Sequence, residues 1–403
     1  MNNLEYLSFT QIDKFCNNKN LILFGAGLIS EKLCKRLKTK PTLIVDNSSN
    51  LWGELQEGIR IESPEKLKPY NSGEVFIVVC STSYSEIKEQ IMRYGFSEKL
   101  DFTISPLLKD ILVIFEIENL TKEIVFTSGS PKTNNPLFGG GVYKLILEAD
   151  IWKYEKKFSG HTYGILEKND HLIMTDANEG ILVFDKTLKL IERFALPSGL
   201  RAHGIDFSEK HDVYVIASSE QDAVIFLDSK FNVIDKVNFS YKKAQSKKAE
   251  HHCNDLHIVG ESIYVSMFSV TGNYKKEVYD GGILEIDIPS REIKHTLSNN
   301  LSMPHNVKFY DDSMHVLNSL KGELLYDNFS LKGEFPAFTR GLDYDGLYYY
   351  IGQSRNRNFS KSIGLSNNIS IDAGIIIFDP KTKLSRFLQV HPKLAEIHSI
   401  HTI

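Results

Sequence analysis

Cysteine, tryptophan and surplus charge are all scarce in this 403-residue chain. Its four cysteines, Cys16, Cys34, Cys80 and Cys253, are scattered, and no two form a C-x-x-C pair. A disulfide framework and a finger-type zinc site are therefore not expected. The formal net charge of −4 argues against nucleic acid or an anionic membrane as partner. A membrane-spanning helix needs about 20 apolar residues; the longest runs here, such as 21–29 and 75–80, fall far short. The opening segment MNNLEYLSFTQIDKF has neither a basic stretch nor an apolar one, so no secretory signal and a cytoplasmic location are expected. What is there is an ordinary globular mixture, 42% apolar and 24% charged, in a chain longer than one small domain needs.

Residues 1–110 read as α/β. Leu21-Ile-Leu-Phe-Gly-Ala-Gly27 is a buried strand entering a glycine turn, and residues 28–38 carry Leu28, Ile29, Leu33 and Leu37 at helical spacing. A second apolar run, Thr42–Asp46, ends in an acid. SPEKLKPY reads as a short helix with Ser63 as N-cap and Pro64 at its first position. Glu74–Ser81 is another buried strand, and 84–95 is a helix with Ile87, Ile91 and Met92 on one face. Such strand–helix alternation implies a parallel sheet. The turn Gly25-Ala26-Gly27-Leu28-Ile29-Ser30 has the form G-x-G-x-x-S. The first glycine permits a tight turn, the second lets a phosphate approach the helix N-terminus, and Ser30 is small enough for close packing. Asp46, 19 residues after Gly27, stands where a ribose-binding acid is expected. Gly25, Gly27, Ser30 and Asp46 are thus candidate contacts for NAD(P) or a nucleotide-sugar. Tyr84 and Lys88 fit the Y-x-x-x-K proton relay of short-chain dehydrogenases, but lie too early in the chain and read as the exposed start of a helix.

ILFGAG, LIVDNSSNLWG, GIRIESPEKL and VFIVVCSTSYSEIKEQIMRYGF resemble the short Rossmann-like domain of bacterial sialic-acid O-acetyltransferases of the PglD type and related surface-glycan enzymes. The resemblance covers about 100 residues and carries over Gly25, Gly27 and Asp46. It implies contact with a nucleotide-linked sugar and a place in surface-polysaccharide or sugar-nucleotide metabolism.

Residues 111–403 repeat. Six hairpin-like phrases begin at Gly140, Gly180, Ala223, Gly281, Gly322 and Ala373. Six anchors are interleaved with them: His161, His203, His252, His305, Arg340 and His398. The first five are followed by a further apolar strand, so a full unit has four strands, the pattern of a propeller blade. Six blades are expected, and the truncated last copy implies closure by pairing of N- and C-terminal strands. The final segment should pair with strands at 124–128 and 140–157.

The anchors start innermost strands, so their side chains should gather at one mouth of the central channel. All six are candidate catalytic groups. His161, His203, His252, His305 and His398 are also candidate ligands for a divalent Fe, Mn, Zn, Ni or Cu ion. Two sets suggest themselves, His203 with His252 and His305, or His161 with His203 and His398. The arrangement resembles that of carotenoid oxygenases and oligogalacturonate lyases in architecture. A metal-free reading resembles arylsulfate sulfotransferases, with Arg340 holding an anionic group and a histidine as nucleophile or acid–base. The third reading is structural, as in WD-repeat propellers, although only Trp52 and Trp152 are present and no Trp-Asp pair occurs. The substrate would be a small anion or sugar. The favoured class is a sugar-modifying enzyme, against a non-catalytic binding scaffold. Asp206, Asp255 and Asp343 would orient histidines or close blade contacts, and Cys253 reads as a buried small residue. The lysines of 241–248, with Tyr279, Arg355 and Arg357, could form the rim.

Overall fold

The computed structural model describes residues 7–16, 18–240, 249–357 and 368–403. The lysine run 241–248 lies outside the described residues. Two compact units divide between Asn119 and Leu120.

The first unit runs α1 (Phe9–Phe15), β1 (Asn20–Phe24), α2 (Leu28–Arg36), β2 (Leu43–Val45), β3 (Leu55–Gln56), β4 (Ile59–Glu62), β5 (Val75–Val79), α3 (Tyr84–Arg93), β6 (Phe102–Ile104) and α4 (Lys109–Glu118). Helix α4 lies across the boundary expected at 110/111. The sheet is mixed, in the order β3-β4-β2-β1-β5-β6, with β3 antiparallel to β4 and the other pairs parallel. Alternate residues of its central strands feed two cores. Ile22, Phe24, Val45, Ile77 and Val79 pack with Ile87 and Ile91 of α3 and Leu112 of α4. Leu21, Leu23, Ile44, Phe76 and Val78 pack with Ile12 of α1 and Leu33 and Cys34 of α2. Burial on both faces is why these strands are apolar throughout. Leu28 and Met92, assigned to apolar helix faces, are exposed, and the helix expected after Ser63 is a single 3-10 turn, Pro64–Leu67.

The second unit is a six-bladed β-propeller. Its strands are β7 (Thr121–Ser128), β8 (Gly141–Glu148), β9 (Ile151–Phe158), β10 (Thr162–Lys168), β11 (His171–Asp176), β12 (Gly180–Asp185), β13 (Leu190–Phe194), β14 (Ala202–Ser208), β15 (Val213–Ser218), β16 (Ala223–Leu227), β17 (Val233–Asn238) and β18 (Cys253–Val259). They continue with β19 (Ser262–Met267), β20 (Gly281–Asp287), β21 (Ile293–Leu301), β22 (Pro304–Tyr310), β23 (Ser313–Asn318), β24 (Glu323–Tyr326), β25 (Ser330–Glu334), β26 (Phe338–Tyr344), β27 (Tyr349–Ser354), β28 (Gly374–Phe378), β29 (Ser385–Gln389) and β30 (Ile400–Thr402). Among the described residues they form six four-stranded sheets. Five are consecutive, and the sixth, β30-β7-β8-β9, joins the two ends of the unit. Ile400 pairs with Phe126, His401 with Val125 and Thr402 with Ile124. No helix among the described residues is long and apolar enough to cross a membrane.

The inner strands β10, β14, β18, β22, β26 and β30 carry devices that hold them side by side. A Cβ on Gly164 would lie 2.5 Å from the His203 carbonyl oxygen, and one on Gly204 would lie 2.8 Å from Asp255 Cα. Glycine is required there because neighbouring backbones touch. The aspartates bridge from one blade to the next. Asp206 accepts the Ile258 N–H (2.8 Å), Asp255 that of Asn306 (3.1 Å), and Asp343 that of Thr402 (2.7 Å). They close blade contacts rather than orient the histidines at the channel mouth.

Candidate functional site

Strand register shows why the anchors are not one equivalent ring. Thr162, Ala202, Cys253, Pro304 and Phe338 start inner strands and pair with Asp176, Ser218, Met267, Asn318 and Ser354, the last residues of the adjoining strands. The next position is then Tyr163, His203, Asn254, His305 and Thr339. In the sixth blade it is His398, whose N–H donates to the Thr127 carbonyl. The position just before the strand start holds His161, Arg201, His252, Met303, Ala337 and Glu396. The equivalent of His203 in the first blade is therefore Tyr163, not His161. Arg340 stands one place further along than the histidines expected to match it.

His161 is not among the residues that line the pocket, and its Nε2 accepts the Lys132 N–H (3.4 Å). The other five anchors converge. Around the mouth runs a closed circuit of side chains. Tyr163 stacks on His203 with centroids 4.1 Å apart, and His203 meets His252 edge-on at 6.1 Å. His252 packs on Phe268 at 4.4 Å, Phe268 on His305 at 5.1 Å, and His305 on Phe338 at 5.5 Å. The Arg340 guanidinium lies 4.6 Å from the Phe338 ring centre, and its Nη1 is 3.4 Å from His398 Nε2. His398 returns edge-on to Tyr163 at 4.7 Å. Backbone contacts fix the circuit: Thr127 and Thr175 hydroxyls donate to the Tyr163 and His203 carbonyls. Gly129 leaves room, since a Cβ there would strike the Tyr163 ring at 2.3 Å. His252 has φ +54, an uncommon conformation for a non-glycine residue. It is held by Asp222, whose carboxylate accepts the N–H groups of Glu250, His251 (3.0 Å) and His252 (2.8 Å).

The circuit surrounds a cavity of about 240 Å³, lined also by Arg201, Tyr274, Arg357 and Glu396. Among the described residues that line it, Glu396 is the one carboxylate. Its Oε2 lies 3.0 Å from His398 Nε2 and 3.6 Å from Arg340 Nη1, and Oε1 pairs with Arg357. Burial alone would raise the Glu396 pKa, but the His398 hydrogen bond and the Arg340 and Arg357 charges hold it well below the usual range. The histidines are kept neutral. Burial, reinforced by neighbouring cations, pushes His203 and His305 well below their ordinary range, and His252 down to about 3. Burial also lowers His398 to about 4, against the upward pull of Glu396. Burial lowers Arg340 as well, from a value so high that it stays charged. Three arginines thus face one carboxylate. Two polar atoms of lining residues, Arg340 Nε and His203 Nε2, are buried and have no hydrogen-bond partner among the described residues.

Among the described residues no group of three or more His, Cys, Asp or Glu is placed to hold an ion. His398 Nε2 is turned to Glu396, and His305 Nδ1 to the Met303 carbonyl (3.0 Å) and Ser319 Oγ (2.8 Å). With His161 outside the pocket, the set of His161, His203 and His398 is broken. The chemistry on offer is that of guanidinium, neutral imidazole, carboxylate and aromatic ring.

Of the remaining candidates, Arg357 lines the pocket, whereas Arg355 donates to the Ile371 carbonyl. Tyr279 packs near Tyr274. Cys253 is buried and donates to the Ser218 carbonyl (3.1 Å). Tyr163, Arg201, Phe268, Tyr274 and Glu396 were not foreseen. Aligning Tyr163-Gly164-Ile165 with His203-Gly204-Ile205 would have found the first. In the first unit, Gly25 has φ +110 and Ser30 Oγ donates to the Gly27 carbonyl (2.7 Å). Asp46 accepts the N–H groups of Ala26 (2.7 Å) and Ser48 (2.8 Å), so it ties its own loop to the glycine turn. Tyr84 is buried rather than exposed, and both it (2.5 Å) and Lys88 (2.6 Å) are bound to Glu98.

Two families match the chain. One described as Domain of unknown function (DUF4915) matches residues 158–403, and one described as C2185-like, N-terminal, matches residues 17–100. The second match stands in place of the acetyltransferase-type domain that the sequence resembles. No curated protein matches. Among solved structures, a protein of unknown function from Bacteroides caccae is 13% identical with a TM-score of 0.48, covering 70% of this chain and 99% of that one. A chain of a nidogen/laminin complex is 12% identical at 0.47, covering 70% and 98%. Regucalcin from Agrobacterium tumefaciens, titled a calcium-binding protein, is 10% identical at 0.40, covering 56% and 72%. Likeness this distant carries no conclusion about activity.

Proposed function

The chain belongs to the DUF4915 family, and from that premise we propose that its propeller mouth binds a small anionic molecule as substrate or ligand. One observation carries this reading. Three guanidinium groups, of Arg201, Arg340 and Arg357, line the cavity, and Glu396 is the one carboxylate among the described residues that line it. Arg340 is only 8% exposed, and its Nη1 already faces Glu396 and His398. A bound anion would balance the positive charge that Glu396 leaves over and accept charge-assisted hydrogen bonds from the guanidinium groups. At about 240 Å³ the cavity is below the ~300–1,000 Å³ typical of drug-sized ligands, so the anion is small. The Glu396–His398 pair adds the means for acid–base chemistry: Glu396 accepts the Nε2–H hydrogen bond, which leaves the other ring nitrogen to exchange a proton with the ligand. Calorimetric titration with small carboxylates, sulfate and phosphate tests the reading. At least one should bind, and Arg340→Met should weaken it tenfold or more. No binding by the native protein would overturn it.

A second reading concerns the first unit, which we take as Rossmann-like and nucleotide-binding. The observation that favours it is the start of α2. Gly27 gives no side-chain cap, and a Cβ there meets no atom within 4 Å, so the space beside Gly27 at the start of the helix is open. Titration with nucleotides and nucleotide-sugars, native against Gly27→Asp, tests it; absence of any binding leaves the unit without a ligand.

A further inference from the structure

Resting on the anion reading, we propose that the ligand is a small hydroxy carboxylic acid of the sugar-acid class, with its carboxylate on Arg340 and a hydroxyl on His203. His203 lines the pocket and is 6% exposed, and neither of its ring nitrogens is hydrogen-bonded to a described residue. The ring cannot swing to find a partner, because Tyr163 lies flat on it at 4.1 Å while His252 and His398 abut it edge-on at 6.1 and 6.0 Å. Among those groups and the nearby arginines the ring is neutral, so each ring nitrogen is either a donor or an acceptor. A hydroxyl serves both cases, since it donates and accepts. A carboxylate serves only one, and a second cation serves neither well beside Arg340. The carboxylate therefore belongs at the guanidinium and the hydroxyl at the imidazole. Around them, Tyr163, Phe268 and Tyr274 supply ring faces and edges, a wall suited to the C–H face of a polyol or sugar. A site built to bond a hydroxyl rejects the analogue that lacks it, because its own buried group is left unpaired.

The probes are D-gluconate, hexanoate and sorbitol, three six-carbon molecules carrying acid plus hydroxyls, acid alone, and hydroxyls alone. Each is titrated calorimetrically into the full-length protein and into His203→Phe. Gluconate should bind at least tenfold more tightly than hexanoate and sorbitol, and His203→Phe should reduce its advantage over hexanoate to threefold or less. His203→Gln, which keeps a polar end, should retain part of it. If gluconate and hexanoate bind the native protein equally, the hydroxy-acid assignment falls while the anion reading stands. If neither acid binds and sulfate or phosphate does, the assignment falls likewise. If no anion binds, both fall. A preference that survives intact in His203→Phe, with the variant melting as the native protein does, overturns the role of His203.

Discussion

Replacing Glu396 by Gln tests how the pocket's charges are balanced. The substitution keeps size and shape but removes the carboxylate that faces Arg340, Arg357 and His398. Arg340 and Glu396 are 8% and 5% exposed, so the pair is not one that water screens. Removing one partner of a buried pair costs about 3–5 kcal/mol, because the other is left as an uncompensated buried charge. Domains somewhat smaller than this propeller lose about 2–4 °C of melting temperature per kcal/mol, which predicts a fall of about 6–20 °C. Differential scanning calorimetry reads it directly. The double variant Glu396→Gln/Arg340→Met removes the mismatch and should recover at least half of the loss, a coupling a merely local packing defect would not give. A single variant melting within about 2 °C of the native protein, or a double variant no better than the single, would refute the reasoning.

Two further outcomes follow. His252 and His398 titrate near 3 and 4 in the folded protein, against about 6.5 in an unfolded chain. Between those values only the unfolded state takes up protons, so their contribution is complete above about pH 6.5 and is lost as pH falls, at up to about 1.4 kcal/mol per unit for each histidine. The propeller should melt at a lower temperature at pH 5 than at pH 7; a flat profile contradicts the buried, neutral histidines. Deleting residues 395–403 removes β30 and with it the strand that closes the ring onto β7. That variant should lose cooperative melting of the propeller, and unchanged melting would contradict closure.

The propeller was legible because its period is written several times over. Each blade repeats an apolar strand, a turn and an alternating strand, and the sheet that joins β30 to β7 is the pairing expected of the last copy. Equivalence within the repeat was less legible. His161 and His203 open similar phrases, yet the bulge in each inner strand and the close approach at Gly164 and Gly204 set the register. Those glycines, not the histidines, are the equivalent residues. Histidine was the more conspicuous letter, and so a ring of ligands was expected where the structure has an aromatic and cationic circuit. Glu396 was missed because the pattern marks the anchor and not the residue before the strand. In the first unit the alternation of strand and helix was readable, whereas the mixed edge at β3 was not, since a two-residue strand leaves no periodicity.

The most direct measurement is a crystal structure of the protein grown or soaked with selenate, whose selenium can be placed by anomalous scattering. The account predicts a peak in the propeller mouth with an oxygen within about 3 Å of a guanidinium nitrogen of Arg340, a charge-assisted hydrogen bond, and no such peak in Arg340→Met crystals. Selenate bound elsewhere on the propeller while the mouth holds only water would contradict it.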